Sequence, residues 1–393
     1  MVSVRAVQTL LLNKNMPTKN LKKIIHIDMD CFFAAVEMRD DTSLRNIPMA
    51  VGGRPDKRGV IATCNYLARK FGVHSAMASS QALKLCPELI IIPGRMAKYT
   101  EESKKIQSIF YDYTALVEPL SLDEAYLDVS STKRLEGSAT LIAEEIRIKI
   151  FEKTGLTASA GVAPNKFLAK IASDWKKPNG LFVLTPDLVE SFMLSLDVSK
   201  IPGVGKVTKK KLNQLGIFSC QNLQEIKKEV LETHFGKFGK VLKERSFGLD
   251  NREVITEFPR KSLSMEKTFP HDLTILECSE KVVEFINELR HRLLLFKKRK
   301  KTDHLYISKF FVKIKYDDFK KTSYEKSHPF PFYESLWSED NISYSLSTYL
   351  KNLIGLCLEK SSKKIRLMGF GVRFSEKKNS FDESFLKQLE LFK

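Results

Sequence analysis

The chain runs to 393 residues with 43% hydrophobic and 28% charged side chains, a balance that excludes a disordered polymer and allows roughly two to four domains. Lys and Arg number 65 against 47 Asp and Glu, a net charge of +18 that points to a polyanionic partner, nucleic acid first. Cys31, Cys64, Cys86, Cys220, Cys278 and Cys357 lie far apart without C-x-x-C spacing, which argues against a disulfide framework or a zinc site, and no apolar run approaches the ~20 residues of a membrane span.

Residues 1–20 read as a flexible N-terminal extension: Leu10-Leu11-Leu12 is too short for a signal-peptide core, and Met16 offers an alternative start. The ordered chain opens with the β-rich run 24–29. A helix is predicted over 31–39, short strands over 49–51 and 60–63, and short helices over 65–71 and 79–86. A long amphipathic helix is predicted over 96–113, then two strands within 117–129 around Ser121-Leu122-Asp123-Glu124. Leu141, Ile142, Ile146 and Ile150 repeat at the spacing of one helix face, predicting a helix over 138–151, followed by a strand over 156–162 and a helix over 165–173. This alternation without repeats predicts a mixed α/β or α+β domain up to about Thr185. From about 186 to 255 the chain is helical and Lys-rich. A βαββ-like region spans about 260–376, with a helix near 277–296 running into Lys297-Lys298-Arg299-Lys300-Lys301 and an alternating strand over 307–316.

Several stretches carry chemistry. Asp28-Met29-Asp30 closes an apolar strand, and residues two apart share a strand face, so carboxylates gather at its exit. Asp123-Glu124 is a second acidic pair at a strand turn. An isolated D-x-D is most often a cap and an isolated D-E a surface turn. Together in one basic chain they fit two-metal phosphoryl chemistry, in which hard Mg²⁺ ions take oxygen ligands. Thr63, Tyr66 and Arg69 recur every three residues and are predicted to face one side at a helix start, where a phosphate would be favoured. Asp174-Trp175-Lys176-Lys177-Pro178-Asn179-Gly180 is a second basic turn. Ile201-Pro202-Gly203-Val204-Gly205-Lys206 matches the helix-hairpin-helix pattern: its glycines let backbone N–H groups approach a DNA phosphate, and Lys206, Lys209, Lys210 and Lys211 add charge. A weaker hairpin candidate is Phe235-Gly236-Lys237-Phe238-Gly239.

These residues sit in long motifs: IIHIDMDCFFAAVEMRD, GVIATCNYLARKFGV, EPLSLDEAYLDVS, TASAGVAPNKFLAKIASDWKKPNG and IPGVGK. Over residues 21–376 the chain resembles the Y-family DNA polymerases, most closely the bacterial DinB-type enzymes (DNA polymerase IV). The resemblance implies an α+β right-hand polymerase: a palm over 21–30 and 95–184, fingers over 31–94, a helix-hairpin-helix thumb over 185–252 and a βαββαβ-like little finger over 260–376. It implies Asp28, Asp123 and Glu124 as catalytic metal ligands with the Met29 carbonyl, holding two Mg²⁺ ions that Mn²⁺ can replace, and moves Asp30 out of the ligand set. By the same resemblance Thr63, Tyr66, Arg69 and Lys177 grip the incoming dNTP, and Phe33 is the ring that excludes a ribose 2′-OH. Gln388, Leu389, Leu391 and Phe392, in the tail 377–393, resemble the peptide that binds the bacterial sliding clamp.

The implied activity is error-prone translesion synthesis on primer-template DNA during damage tolerance and repair, by a cytoplasmic monomer. Rival readings are a catalytically dead DNA-binding scaffold, a partner-dependent UmuC-type subunit, or a helix-hairpin-helix nuclease or glycosylase. The intact Asp28, Asp123 and Glu124 disfavour the first, and the match over the first 180 residues the second. Residues 1–20 have no counterpart in the family pattern, and 318–345 follow it loosely.

Overall fold

The computed structural model describes residues 22–257, 259–299, 302, 304–328, 331–338, 344–358 and 361–377. The N-terminal extension and the clamp-like residues Gln388, Leu389, Leu391 and Phe392 lie outside them. Two compact units are present, one of residues 1–53 and 60–257, the other of 54–59 and 258–393.

The first unit is organised by β1 (Ile24–Met29), the central strand of a five-stranded sheet. Its alternation sends Ile25, Ile27 and Met29 to one face and Ile24, His26 and Asp28 to the other. Helix α1 (Phe32–Asp40) follows, then β2 (Met49–Gly52), β3 (Ile61–Cys64), α2 (Tyr66–Lys70), α3 (Ser79–Leu85) and β4 (Ile90–Ile92). β2, β3 and β4 form a separate three-stranded sheet in the order β3-β2-β4. The chain then returns through α4 (Met96–Phe110), β5 (Val117–Pro119), β6 (Glu124–Asp128), α5 (Ala139–Thr154), β7 (Ala158–Ala163), α6 (Lys166–Trp175) and β8 (Leu181–Val183). The large sheet has the order β5-β6-β1-β7-β8, antiparallel except for the β7–β8 pair.

Each face of that sheet is covered. Ile25 and Ile27 pack with Ile106 and Ile109 of α4 and Ile142 and Ile146 of α5. Ile24 packs with Phe167, Leu168 and Ile171 of α6. Each such side chain, taken fully from water, stabilises the fold by about 1.5–3 kcal/mol. α6 can settle onto β7 because position 161 is glycine: a Cβ there would stand 2.1 Å from the Ala169 carbonyl oxygen. The helix starts are capped by Asn65, Ser138 and Asn165, whose side chains accept from the backbone N–H three residues on, worth ~1 kcal/mol each.

The helical stretch comprises α7 (Val189–Ser195), α8 (Lys206–Gln214), α9 (Cys220–Glu225), α10 (Lys228–Phe235) and α11 (Lys237–Ser246). Its core, including Val198, Leu212, Leu223 and Leu242, is continuous with the α6 cluster.

The second unit runs β9 (Ser262–Leu273), α12 (Ile275–Glu280), α13 (Val282–Arg299), β10 (Leu305–Tyr316), β11 (Lys321–Ser327), α14 (Tyr344–Leu358) and β12 (Ile365–Glu376). Its antiparallel sheet has the order β11-β10-β12-β9. Phe310, Val312 and Phe370 of the sheet pack against Phe285, Leu289 and Ile354 of the helices. This is the expected βαββαβ order, with one difference: the helix expected near 277–296 is two, separated at Lys281. Lys297 of the basic run lies over the Trp337 ring at 5.5 Å, while Lys300 and Lys301 fall outside the described residues. All six cysteines are buried and none forms a disulfide.

Candidate active site

Asp28 and Glu124 sit opposite one another on the antiparallel pair β1–β6, so their side chains share a sheet face. The turn before β6 brings Asp123 along, held by the Met29 N–H donating to the Asp123 carbonyl at 2.9 Å. Asp123 is partly exposed, and its carboxylate accepts from the Ser121 hydroxyl. The Lys177 ammonium lies 2.8 Å from Asp28 and 3.0 Å from Asp174. The Lys170 ammonium is ion-paired with Glu124 Oε2, and His26 Nε2 is 3.2 Å from the same oxygen. One ligand atom each from His26, Asp28 and Glu124 fall within 4.8 Å of one another.

The electrostatics of the two central carboxylates diverge. Burial pushes Asp28 up to about 6 although Lys177 pulls the other way. The His26 hydrogen bond, joined by Lys170 and opposed by burial, holds Glu124 down at about 2. Burial lowers the fully enclosed His26 to about 4. The donor set is hard oxygen, and an ammonium group already rests on each of Asp28 and Glu124. Positive charge is therefore stabilised here, and the residues fit divalent cations of the Mg²⁺ type.

A cavity of about 170 Å³ joins this acidic set to a basic one: Asp28, Met29 and Asp123 share its wall with Phe33, Thr63, Arg69 and Lys177. The Phe33 ring lies flat against Tyr99, with centroids 4.3 Å apart and planes 11° from parallel. The Tyr99 hydroxyl in turn donates to Glu37 at 2.5 Å.

Two expectations from the sequence change. Thr63, Tyr66 and Arg69 do not form one helical row, because Thr63 lies on β3 and the helix begins at Tyr66. Arg69 instead covers the Tyr66 ring at 4.7 Å, one turn along α2. Asp30 does not join the carboxylate cluster of Asp28 and Glu124 either. β1 ends at Met29, and Asp30, buried in the turn, accepts from the Ser159 hydroxyl at 2.8 Å, the Asn179 N–H at 2.7 Å and the Tyr66 hydroxyl at 3.3 Å. Those bonds occupy it as a brace for the loop carrying Lys177.

Reading the sequence missed His26 and Lys170. The first was detectable, since it lies two residues before Asp28 on one strand. The second depends on how α6 crosses the sheet.

The hairpin is present. Gly203 has φ +97°, the left-handed region that favours glycine, and Gly205 is the N-cap of α8, which carries Lys206 and Lys209. Lys209 lies 3.4 Å from Asp197. The weaker candidate is also a helix–turn–helix, since Gly236 with φ +59° joins α10 to α11.

Residues 27–174 match the impB/mucB/samB family, 199–250 the DNA polymerase-iota thumb domain and 260–384 the impB/mucB/samB family C-terminal domain. The chain is 57% identical over 306 residues to a DNA polymerase IV of Shewanella woodyi, covering 78% of this chain and 83% of the relative. It is 48% identical over 374 residues to a DNA polymerase IV of Pseudomonas entomophila, covering 95% and 99%. Among solved structures, the Y-family DNA polymerase chimera Dbh-Dpo4(243-245)-Dbh superposes with a TM-score of 0.73 at 28% identity, covering 89% of this chain and 98% of the other. DinB from Sulfolobus solfataricus gives 0.62 at 27% identity, covering 91% and 100%.

Proposed function

The chain belongs to the Y-family of DNA polymerases, in its bacterial DinB-type branch, and on that footing we propose that Asp28, Asp123 and Glu124, with the Met29 carbonyl, hold its catalytic divalent cations. It is a DNA-directed DNA polymerase of the translesion kind, acting on DNA and dNTPs. The cations, two Mg²⁺ that Mn²⁺ can replace, supply charge neutralisation at the phosphates and activation of the primer 3′-OH when bound.

The chain's own residues do the rest by position and charge. Arg69 and Lys177 offset the triphosphate charge, Lys177 exchanging its Asp28 and Asp174 contacts for phosphate oxygens. Thr63 and Tyr66 donate hydroxyl hydrogen bonds to the same phosphates. Phe33, backed by Tyr99, leaves no room beside the sugar for a 2′-OH. Gly203 and Gly205 offer backbone N–H groups, and Lys206 and Lys209 their ammonium groups, to DNA phosphates, contacts that position without reading sequence. Base pairing then selects the nucleotide.

On this reading 21–30 and 95–184 are the palm, 31–94 the fingers, 185–252 the thumb and 260–376 the little finger. Gln388, Leu389, Leu391 and Phe392 bind the sliding clamp, and the protein works as a cytoplasmic monomer.

The observation that supports the reading most is the single cavity lined by Asp28, Asp123, Arg69, Lys177 and Phe33. Carboxylates able to hold cations and cationic groups able to hold phosphate line one cavity, as a metal-bound triphosphate requires. Arg69→Ala and Lys177→Ala test it in steady-state extension. Each is expected to raise the dNTP KM about tenfold or more, the loss of a charge-assisted hydrogen bond. Unchanged KM in both variants would contradict the placement of the nucleotide.

A further inference from the structure

One buried polar group near the site has no part in the mechanism above. His26 lies mid-strand on β1 with its side chain wholly enclosed. Its neighbours across the sheet are Tyr126 on β6 and Gly161 on β7, and its ring packs against Tyr126 at 4.8 Å between centroids. An apolar side chain would fill such a position without the desolvation that two ring nitrogens bring. Both nitrogens have partners: Nε2 is 3.2 Å from Glu124 Oε2, and Nδ1 is 2.8 Å from the Ser173 hydroxyl.

The hydrogen-bond chemistry has a direction. A carboxylate only accepts, so the contact with Glu124 requires the hydrogen on Nε2. That holds for the neutral ring and for the imidazolium alike. In the neutral ring Nδ1 is then an acceptor, and the donor in reach is the Ser173 hydroxyl, whose single hydrogen has both Nδ1 at 2.8 Å and the Lys170 carbonyl at 2.9 Å as acceptors. Ser173 and Lys170 stand one turn apart on α6, so a single helix supplies both the partner of His26 and the ammonium paired with Glu124. Glu124 Oε2 takes both contacts, while Oε1 has no hydrogen-bond partner among the described residues.

We propose that His26 is a positioning residue for polymerisation: its Nε2–H, set by Ser173, pins one oxygen of Glu124 and fixes the angle at which the other is presented as a ligand. The inference rests on Glu124 being a metal ligand. Partners in this outer layer fix ligand orientation, and losing one typically weakens metal affinity or activity about 10–100-fold.

The test uses the full chain in four variants. His26→Leu keeps the volume and removes both nitrogens, His26→Gln keeps an N–H near the Nε2 position, Ser173→Ala removes the anchor, and Glu124→Gln removes the ligand charge. Mn²⁺ binding is read without turnover from the EPR signal of free ion, and primer extension is read in single turnover beside the melting temperature. His26→Leu is expected to weaken Mn²⁺ binding and slow extension by about 10–100-fold with the dNTP KM little moved, His26→Gln to recover most of both, and Ser173→Ala to fall between. A folded His26→Leu with wild-type Mn²⁺ affinity and extension rate overturns the proposal. So does His26→Gln losing as much as His26→Leu, because that marks packing and not the N–H. If His26→Leu does not fold, unchanged Mn²⁺ affinity in Ser173→Ala overturns it. Wild-type behaviour of Glu124→Gln would instead remove the ligand assignment beneath it.

Discussion

The segment 250–257, which leads out of the first unit, is tied to the large sheet by a buried ion pair whose strength can be worked out. Lys166 at the start of α6 and Glu118 on β5 are ion-paired, with side chains only 3% and 6% exposed. Each also holds the segment: the Lys166 ammonium donates to the Glu253 carbonyl at 3.1 Å, and Glu118 accepts from the Ile255 N–H at 2.8 Å. The Tyr126 ring lies 5.0 Å below the ammonium. Glu118→Ala strands the ammonium in the interior, which costs about 3–5 kcal/mol. For a unit of this size each kcal/mol shifts the melting temperature by about 2–4 °C, so a fall of about 6–20 °C is expected. Replacing both partners, Glu118→Leu with Lys166→Met, removes the stranded charge and is expected to recover most of that loss. Urea and thermal melts of the two singles and the double form the assay, with limited trypsinolysis at Arg252 reporting release of the segment. A Glu118→Ala melt within a degree of wild type, or a double variant as unstable as the sum of the singles, would refute the argument.

Acid should unfold the protein partly through Glu102. Burial alone would raise this carboxyl, but Arg39 at 2.9 Å and Lys105 at 3.0 Å hold it down at about 2, below its usual 4.5. A folded value below the unfolded one gives stability that is present above pH 4.5 and lost as pH falls towards 2, up to about 3 kcal/mol. Melting temperatures from pH 7 to 2.5 should therefore fall less steeply in Glu102→Gln, which starts lower at pH 7. On the hairpin, removing the charges of Lys206 and Lys209 together should reduce the slope of log affinity for DNA against log salt by about 2, equally for all sequences. An unchanged slope would remove both from the DNA contact. Phe33→Val opens the space beside Tyr99 and should lower the preference for dNTP over rNTP about tenfold or more, read from paired extension assays.

Much of the fold could be read from local signals. The β-rich run Ile24–Met29 is a strand, and the helices expected to start at Asn65, Ser138 and Asn165 begin there, each with that residue as its N-cap. Asp28 and Glu124 were also legible, because long motifs carry them. What the sequence withheld is set by pairing and packing. The D-x-D spacing makes Asp28 and Asp30 look equivalent, and only the bonds Asp30 accepts from Ser159 and Asn179, residues far away in the chain, turn it into a brace. Three-residue recurrence joined Thr63 to Tyr66 and Arg69, but the strand-to-helix boundary at Asn65 resets the period. Lys170 meets Glu124 only because Gly161 admits α6 so close to β7, a contact between residues far apart in the chain.

The measurement that bears most directly on the central claim is primer extension by the lone chain with Mg²⁺ and dNTPs, wild type beside Asp123→Asn and Asp28→Asn. Both substitutions keep the shape and remove a ligand charge. Extension by wild type alone, with all three proteins binding primer-template equally, is the expected result. Extension by either variant at the wild-type rate would contradict the assignment of these carboxylates, and a wild type that binds DNA but adds no nucleotide would contradict the stand-alone polymerase itself.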